Sequence, residues 1–358
     1  MAWLRVILFP FSLIYGLVVH IRNKLFDWHI LPSREFPVPV ISIGNLSTGG
    51  TGKTPHVEYL IRLLNEERRI AVLSRGYKRK SKGFVLAGED SSVHDIGDEA
   101  YQIKHKFPDV LVAVHERRSA GIKHILKTHP ETDLIILDDA FQHRYVKPGL
   151  NILLTEYYNP FFRNFLLPCG NLREPKSGIN RADVVVVTKT PSVFSPLDRR
   201  FFLQKLMPYK TENVFFSSLK YSSLIPLNHY SGKTRSLTFK TIFLITGIAN
   251  PEALEEHLKK QCQELIVYKF PDHYQFRIND LKNILNDYQA NISRSKAIIT
   301  TEKDATRLHS PDLKKTLSKA AVYYLPVQVS FHEPDRKDVE EIIFSFLKKF
   351  DAPQHIIE

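Results

Sequence analysis

The sequence predicts an α/β fold in which helices cover both faces of a mostly parallel sheet. Two observations predict it: short apolar runs rich in β-branched residues recur along the chain, and stretches of helical length separate them. Strands of a parallel sheet are buried on both faces, so they are apolar throughout instead of alternating with polar residues. A length of 358 residues is enough for about two domains, each with a core of its own.

The apolar runs form two series along the chain. The first series predicts strands at 40–43, 70–73, 110–114, 134–137, 152–154 and 184–187. Between about residue 201 and residue 235 this rhythm is lost and serines and prolines accumulate, which indicates a linker. The second series predicts strands at 242–245, 265–268, 297–300 and 322–325 and helices at 251–260, 279–288 and 337–349. We therefore expect an N-terminal apolar segment (1–30), an α/β domain (31–215), a linker (216–238) and a smaller C-terminal α/β domain (239–358).

Composition restricts the partners and the compartment. Lysine and arginine number 50 against 38 acidic residues, and the formal charge of +12 favours an anionic partner: a nucleic acid, an anionic lipid or a phosphorylated substrate. The positive charge lies in scattered segments without a recognised nucleic-acid motif, so nucleic acid is not the expected partner. Only Cys169 and Cys262 are present, which excludes a disulfide scaffold and indicates a reducing, cytoplasmic compartment.

The N-terminal segment predicts association with a membrane. Val6–Ile21 carries no formal charge and lies between Arg5 and Arg22. The run is shorter than the roughly 20 apolar residues of a spanning helix, and it contains Pro10 and Gly16. No small-residue cleavage site follows it, so a signal peptide is not expected. We expect an interfacial helix or a hydrophobic hairpin; a buried core helix is the alternative, and spanning stays open.

A glycine-rich loop predicts phosphate binding. The strand at 40–43 runs into a loop that ends in Gly52, Lys53 and Thr54, and Pro55 can begin a helix. Glycines let backbone N–H groups converge on phosphate oxygens, and the helix N-terminus adds partial positive charge. Lys53 would contact the β- and γ-phosphates and Thr54 would hold Mg²⁺, as in a P-loop, although Ser47 replaces the usual first glycine. The predicted nucleotide-binding residues are Ser47, Thr48, Gly49, Gly50, Thr51, Gly52, Lys53 and Thr54.

A second strand end predicts the metal ligands. Asp138 and Asp139 follow the apolar run at 134–137, where a P-loop protein carries a carboxylate that binds Mg²⁺ directly or through water. Two aspartates after a strand also suit a turn or a helix N-cap, but the nearby P-loop favours the metal. Together with Thr54 they form the predicted magnesium site.

The choice of nucleotide rests on a later strand end. Guanine-specific proteins usually carry N/T-K-x-D there, and this chain has Thr188 and Lys189 but Pro191 in place of the aspartate. ATP is therefore favoured over GTP. The segment 300–306 has a similar composition with a different spacing, and we interpret it as a strand followed by a capped helix.

Phosphoryl transfer to an alcohol also needs a group that accepts the hydroxyl proton. Asp98 and Glu99 follow Gly97 at the start of a helical pattern, and Asp272 and His273 lie between a strand and a helix. The alternatives are an ordinary N-cap for Asp98 and a surface histidine for His273. Arginines could bind an anionic substrate. The candidates are Arg75, Arg117, Arg118 and Arg173.

Ten segments of the chain, in order, resemble the tetraacyldisaccharide 4'-kinase family of lipid A biosynthesis. They are ISIGNLSTGGTGKTP, LSRGY, GDEA, VHERR, LDDAFQHR, LPCGNLREP, VVVVTK, TGIANPE, FPDHYQF and TTEKDA. In that family a small hydroxyl residue commonly holds the place of Ser47. The resemblance implies transfer of the γ-phosphate of ATP to the 4'-hydroxyl of a tetraacyldisaccharide 1-phosphate, giving lipid IVA at the cytoplasmic face of the inner membrane. It also implies a P-loop NTPase-like domain, a smaller C-terminal α/β domain and a membrane-associating N-terminus that is peripheral or monotopic.

The resemblance also assigns roles to single residues. It implies phosphate binding at 47–54, Mg²⁺ near Thr54, Asp138 and Asp139, and Asp98 as the catalytic carboxylate with His273 as its partner. The lipid disaccharide and a membrane surface are the implied partners, with no obligate protein partner. Local departures from the family pattern are Ala100, Ala140 and Cys169.

Another class of function stays open from the residues alone. A P-loop NTPase that drives a partner protein through hydrolysis would account for the glycine-rich loop. It would leave the apolar N-terminus and the pair of Asp98 and His273 without a role. Partner-stimulated hydrolysis without a lipid acceptor would distinguish it from a kinase.

Overall fold

The computed structural model describes residues 2–209, 213–228 and 239–351. They divide into two compact units. The larger unit holds the described residues within Met1–Ile96, Ile103–Leu219 and Val329–Glu358, and the smaller unit holds those within Gly97–Gln102 and Lys220–Gln328.

Strands and helices alternate through most of the chain. The strands are β1 (Val40–Asn45), β2 (Ile70–Ser74), β3 (Val85–Leu86), β4 (Leu111–Val114), β5 (Leu134–Asp138), β6 (Leu150–Glu156), β7 (Val184–Thr188), β8 (Val214–Tyr221), β9 (Ile225–Pro226), β10 (Thr241–Thr246), β11 (Glu264–Lys269), β12 (Lys296–Thr301), β13 (Val322–Leu325) and β14 (Val327–Phe331). The helices are α1 (Ala2–Asp27), α2 (Lys53–Leu64), α3 (Val93–Ile96), α4 (Asp98–Lys106), α5 (Arg118–Thr128), α6 (Pro196–Leu206), α7 (Glu252–Lys259), α8 (Ile278–Ala290), α9 (Glu302–Leu308), α10 (Pro311–Leu317) and α11 (Asp335–Asp351).

The larger sheet has nine strands in the order β14-β8-β7-β6-β1-β5-β2-β4-β3. The pairs from β8 to β4 are parallel, and the short β3 is antiparallel to β4. Every residue of β1, β2, β5 and β7 is buried, which is why these strands are mostly apolar and carry their few polar residues mainly at their carboxyl ends. Ile43 of β1 is in register with Asp138 of β5. The residues that follow these two strands therefore meet at one edge of the sheet.

The smaller unit contains a five-stranded sheet in the order β11-β10-β12-β13-β9. The strands β10 to β13 pair in parallel, and β9 is antiparallel to β13. Phe243, Leu281 and Ile298 lie in its buried core. Because Ile245 of β10 is in register with both Tyr268 of β11 and Thr300 of β12, the segments after these three strands share one edge of the sheet.

The boundaries of the two units differ from the expected domains. Helix α11, expected in the C-terminal domain, belongs to the larger unit, because the Asp335 carboxylate accepts the Phe216 N–H of β8 (2.9 Å) and pairs with Arg199. Residues 97–102 group with the smaller unit. The expected linker 216–238 contains the end of β8 and all of β9, while its residues 229–238 lie outside the described residues.

The N-terminal segment forms one continuous helix, so of the two expected forms, helix or hairpin, it adopts the helical one. A stripe of residues spaced three or four apart holds α1 to the larger unit: the Ser12 hydroxyl contacts the Leu166 carbonyl (3.1 Å), Tyr15 donates to the Arg173 carbonyl (2.7 Å), and Phe26 is buried. The outward side of the helix from Ile7 to Ile21 is mostly apolar and about half exposed, which also excludes a buried core helix. The exposed side chains are Ile7, Phe9, Phe11, Leu13, Ile14, Leu17, Val18 and Ile21. No helix within the described ranges has the length and apolar character that crossing a bilayer demands.

Candidate active site

The loop between β1 and α2 has the geometry of a phosphate cradle. Gly49 (φ 111°) and Gly52 (φ 88°) lie in the left-handed region that side chains other than glycine rarely adopt. A Cβ added at Gly49 or Gly50 would meet no atom within 4 Å, so the loop borders open space. Gly52 is the N-cap of α2, and Lys53 is its first residue. Backbone N–H groups at such a helix start attract phosphate oxygens.

Hydrogen bonds from neighbouring segments hold this loop in place. Asn45 donates its amide to the Thr51 hydroxyl (3.0 Å), and the Thr188 hydroxyl at the end of β7 donates to the Thr51 carbonyl (2.9 Å). The backbone N–H of Thr48 donates to the carbonyl of Asn171 (2.7 Å). The loop shape is therefore fixed by its surroundings as well as by its glycines.

Charged side chains meet beside the loop. Lys53 Nζ lies 3.6 Å from Asp139 Oδ1, and the Arg173 guanidinium donates to both oxygens of Asp139 at 2.9 and 3.1 Å. Burial raises the pKa of Asp139, but Lys53 and Arg173 lower it more, so the net shift is downward. Asp139 has φ 48°, an uncommon backbone conformation for a residue other than glycine, and Asp138 before it is buried. The structure thus brings together the predicted Lys53, Asp139 and Arg173.

The other predicted arginines separate into two kinds. Arg75 and Arg117 are exposed and follow β2 and β4, so their guanidinium groups are available to a ligand. Arg118, predicted as a substrate ligand beside Arg117, is 2% exposed and donates to the carbonyls of His115 (2.7 Å) and Asp138 (3.2 Å). Its side chain enters the interior because α5 begins there and directs successive residues to different faces. Arg118 thus supports the end of β5 and is placed away from solvent, contrary to the expectation.

Oxygen ligands suited to a hard cation lie near the loop. Within the described residues, no group of three or more His, Cys, Asp and Glu side chains could hold a metal ion on its own. Mg²⁺ does not require such a group, because it binds through one or two carboxylates together with phosphate oxygens and water. The hydroxyl of Thr54 and the carboxylates of Asp138 and Asp139 provide this kind of ligand set, so these residues fit Mg²⁺ and a nucleotide together.

The smaller unit contains a second cluster of charged side chains. Asp98, the first residue of α4, is 6% exposed, and its Oδ2 accepts bonds from His273 Nδ1 (2.9 Å) and from Arg307 Nε (2.9 Å) and Nη2 (2.5 Å). His273 follows β11 with φ 60°. Burial raises the pKa of Asp98, but the bonds from His273 and Arg307 lower it more, to about 2. The predicted pair of Asp98 and His273 is in contact, and Asp98 carries a negative charge at neutral pH.

Sequence reasoning missed the α9 side chains that complete this cluster. It predicted a strand followed by a capped helix over 300–306, and this is confirmed, because the Thr301 hydroxyl accepts the Asp304 N–H (3.0 Å) at the start of α9. It did not identify Lys303 or Arg307 as part of a site. Their spacing of four residues, which places both on one helix face, was the available signal.

A glycine-rich loop that joins a buried parallel strand to a helix, with a lysine and two carboxylates beside it, defines the larger unit as a P-loop phosphotransferase domain. Comparison with known proteins identifies the family. The family model for tetraacyldisaccharide-1-P 4'-kinase matches residues 4–348. The chain belongs to this family, and it is a kinase.

Individual relatives agree with this assignment. The chain is 45% identical to the tetraacyldisaccharide 4'-kinase of Phocaeicola vulgatus, over 96% of this chain and 95% of that protein. It is also 45% identical to the enzyme of the same name from Bacteroides thetaiotaomicron, over 96% and 93%. A crystal structure of the "apo" form of LpxK from Aquifex aeolicus in complex with ATP matches with a TM-score of 0.72 and 30% identity, over 96% of this chain and 99% of that one. The family, fold class and kinase activity expected from the sequence are confirmed.

Proposed function

We propose that this kinase transfers the γ-phosphate of ATP to the 4'-hydroxyl of a tetraacyldisaccharide 1-phosphate at a lipid surface. The observation that carries the proposal is the open glycine cradle at the start of α2, with Lys53 beside Asp139. The crystallised relative named above was solved with ATP, which supports ATP as the donor.

Residues of the larger unit would bind the nucleotide. The backbone of 47–54 surrounds the phosphates, and Lys53 contacts the β- and γ-phosphates and compensates their charge. Thr54, Asp138 and Asp139 would hold Mg²⁺, which neutralises phosphate charge when it is bound. Asp139 is already paired with Lys53 and Arg173, so its negative charge is retained in the absence of metal.

Asp98 would accept the proton of the acceptor hydroxyl. As that proton moves to the carboxylate, the sugar oxygen forms a bond to the γ-phosphorus and the bond between this phosphorus and the β–γ bridging oxygen breaks, releasing ADP. The proton then passes from Asp98 to water. A weakly basic carboxylate is sufficient for this, because the transition state of phosphoryl transfer is loose and deprotonation is needed late. His273 orients Asp98 through the 2.9 Å bond.

Exposed arginines would bind the anionic part of the acceptor. Arg75 and Arg117 are open to solvent, and a guanidinium group binds phosphate in a bidentate manner. Arg173 is partly exposed and paired with Asp139, so it would act at the boundary between acceptor and nucleotide. Arg118 supports the end of β5 from inside the unit, through its bond to the Asp138 carbonyl.

The exposed apolar face of α1 would place the enzyme at the cytoplasmic face of the inner membrane as a peripheral or monotopic protein. Its half-exposed side chains, among them Phe11, Ile14 and Leu17, suit the boundary between headgroups and acyl chains. An acceptor with four acyl chains is found in the same layer. No protein partner is needed for this reaction.

A transfer assay tests the proposal. We expect purified protein with γ-labelled ATP and Mg²⁺ to label tetraacyldisaccharide 1-phosphate, but not the same acceptor already phosphorylated at its 4'-position. Lys53→Met should lower kcat by about a hundredfold or more, since it removes charge from the transition state. Lys282→Met, at an exposed helix position of the smaller unit, is the matched control. Hydrolysis of ATP that is stimulated by a protein partner, without labelled lipid, would instead support an NTPase switch.

A further inference from the structure

Two cationic side chains of the short helix α9, Lys303 and Arg307, lie beside the pair of Asp98 and His273. We propose that Arg307 and Lys303 of α9 are positioning residues for phosphoryl transfer: Arg307 fixes the Asp98 carboxylate and Lys303 fixes the His273 ring. This inference rests on the proposed role of Asp98 as the proton acceptor. The two cations lie four residues apart, so they project from one face of the helix. Arg307 contacts Asp98 and the near side of the His273 ring, and Lys303 contacts the far nitrogen of that ring.

Arg307 is held in a single orientation by carboxylates on two sides. Its Nε and Nη2 donate to Asp98 Oδ2, while Nη1 donates to Asp304 Oδ1 (2.9 Å) and to the Gly247 carbonyl (3.3 Å). The Asp304 carboxylate accepts bonds from the Gly247 N–H (2.9 Å) and the Thr301 hydroxyl (2.7 Å). The side chains of Arg307 and Asp304 have no exposed surface. A guanidinium held in this way cannot turn, so it transmits its orientation to Asp98.

The bonds to Asp98 also distinguish its two oxygens. All three donors, two nitrogens of Arg307 and Nδ1 of His273, end on Oδ2. The geometry therefore assigns Oδ1 to the acceptor hydroxyl. Arg307 thus selects which oxygen acts as the base and fixes the direction from which the hydroxyl must approach.

Lys303 fixes the tautomer of His273. Lys303 Nζ lies 3.0 Å from His273 Nε2, and an ammonium group only donates, so Nε2 must be the unprotonated nitrogen. The proton is then on Nδ1, from which it is donated to Asp98 Oδ2 at 2.9 Å. Arg307 Nη2 also lies 3.3 Å from Nδ1, but its shorter bond of 2.5 Å goes to Asp98 Oδ2, so Nδ1 is not required as its acceptor. Carboxylates near Lys303 hold its ammonium group in place, with Glu99 at 3.7 Å and Asp272 at 3.8 Å.

The charges around Asp98 predict a pH signature for Arg307. His273 and Arg307 contact the carboxylate directly, and the other charged groups of the cluster are Lys303, Asp304, Glu99 and Asp272. Burial raises the pKa of Asp98, and the bonds from His273 and Arg307 bring it down to about 2. Loss of the charge at Arg307 should therefore raise this pKa and move the acid limb of the pH–rate profile to higher pH.

Variants of Arg307 separate positioning from folding. We expect Arg307→Met to lower kcat about tenfold or more while KM for ATP stays within about twofold, and to move the acid limb of kcat/KM upward by about one pH unit or more. Arg307→Lys should return the limb towards its wild-type position, because the charge is restored, but leave kcat low, because one ammonium cannot make both bonds. Arg294→Met, at an exposed position of the same unit, should behave as wild type. If Arg307→Met folds and both its kcat and the acid limb of its kcat/KM profile match the wild type, the proposed role of Arg307 is overturned.

Lys303→Met provides a test that does not depend on a buried substitution, because the Lys303 side chain is 29% exposed. Two-bond ¹H–¹⁵N spectra of the wild-type enzyme should show His273 protonated at Nδ1 alone, and Lys303→Met should mix the tautomers and lower kcat. Identical spectra and rates in the two proteins would refute the role of Lys303.

If Arg307→Met does not fold, the Arg307→Lys variant tests the role of Arg307 alone. A wild-type kcat in Arg307→Lys would refute the positioning role of Arg307. Failure of the wild-type enzyme to label the lipid acceptor would contradict the proposed function instead, while the tautomer measurement would still be readable.

Discussion

Replacing apolar side chains on the exposed face of α1 should weaken binding to lipid vesicles without unfolding the protein. Ile14 and Leu17 are 62% and 60% exposed, so membrane insertion would remove most of their surface from water. Full burial of such a side chain is worth about 1.5–3 kcal/mol, so each contributes about 1–2 kcal/mol to partitioning. The double change to serine should then cost about 2–4 kcal/mol, or a partition coefficient about 30 to 1,000 times smaller.

The assay is co-sedimentation with vesicles that contain anionic lipid, titrated over lipid concentration. The matched control replaces Val193 and Ile292, which are 89% and 99% exposed but lie outside α1, by serine. These residues have no place in the proposed membrane face, so the control should partition as the wild type does. Equal partitioning of both double variants would refute the reasoning, because membrane binding would then not depend on α1. Circular dichroism of each variant checks that helix content is unchanged.

Three further results are expected from the interior of the protein. Gly44→Ala should lower the free energy of unfolding by about 1–3 kcal/mol in urea titrations, because the added Cβ would lie 2.6 Å from Phe141 Cβ. A free energy of unfolding equal to that of the wild type would show instead that the backbone shifts to make room. The pKa of Asp98 falls from 3.8 to about 2 on folding, so the charged carboxylate stabilises the folded state above pH 4 by about 2–3 kcal/mol. This stabilisation is lost as the pH falls towards 2. A urea midpoint that does not change with pH over this interval would contradict it. Asp335→Asn should cost about 1.5–3 kcal/mol because it removes the charged partner of Arg199, and an unchanged melting temperature would argue against this.

The local patterns in the sequence were sufficient to predict the strand, loop and helix that form the candidate nucleotide site. The loop 47–54 lies between a buried strand and a helix, and Asp138 and Asp139 end another buried strand, so neighbouring strands in one parallel sheet bring them together. The pair of Asp98 and His273 came from the resemblance to a family, because residues so distant in sequence have no shared periodicity. The contact between them is visible only in the structure.

Other features could not be predicted because they depend on which side of a helix faces the interior or on contacts between residues far apart in the sequence. Arg117 and Arg118 are neighbours in sequence, but only Arg118 is turned inward by the start of α5. The contribution of Arg307 depends on a residue 209 positions away. In α1 the sequence showed an apolar segment, while the structure shows which narrow stripe, including Ser12, is used for packing and which face is left open.

The attachments of α1 explain why Ser12 and Tyr15 face the protein while the apolar residues around them face outward. The Ser12 hydroxyl donates to the Leu166 carbonyl (3.1 Å) and accepts the Cys169 N–H (2.9 Å), and Tyr15 donates to the Arg173 carbonyl (2.7 Å). Arg173 in turn donates its own N–H to the carbonyl of Leu46 (2.8 Å) in front of the phosphate loop and binds Asp139 with its side chain. One segment, 166–173, therefore supports both the helix proposed to contact lipid and the loop proposed to hold ATP. A helix attached by polar contacts on its inner stripe can leave its apolar side chains unpaired with protein, which is the arrangement that an enzyme acting on a lipid-embedded acceptor requires.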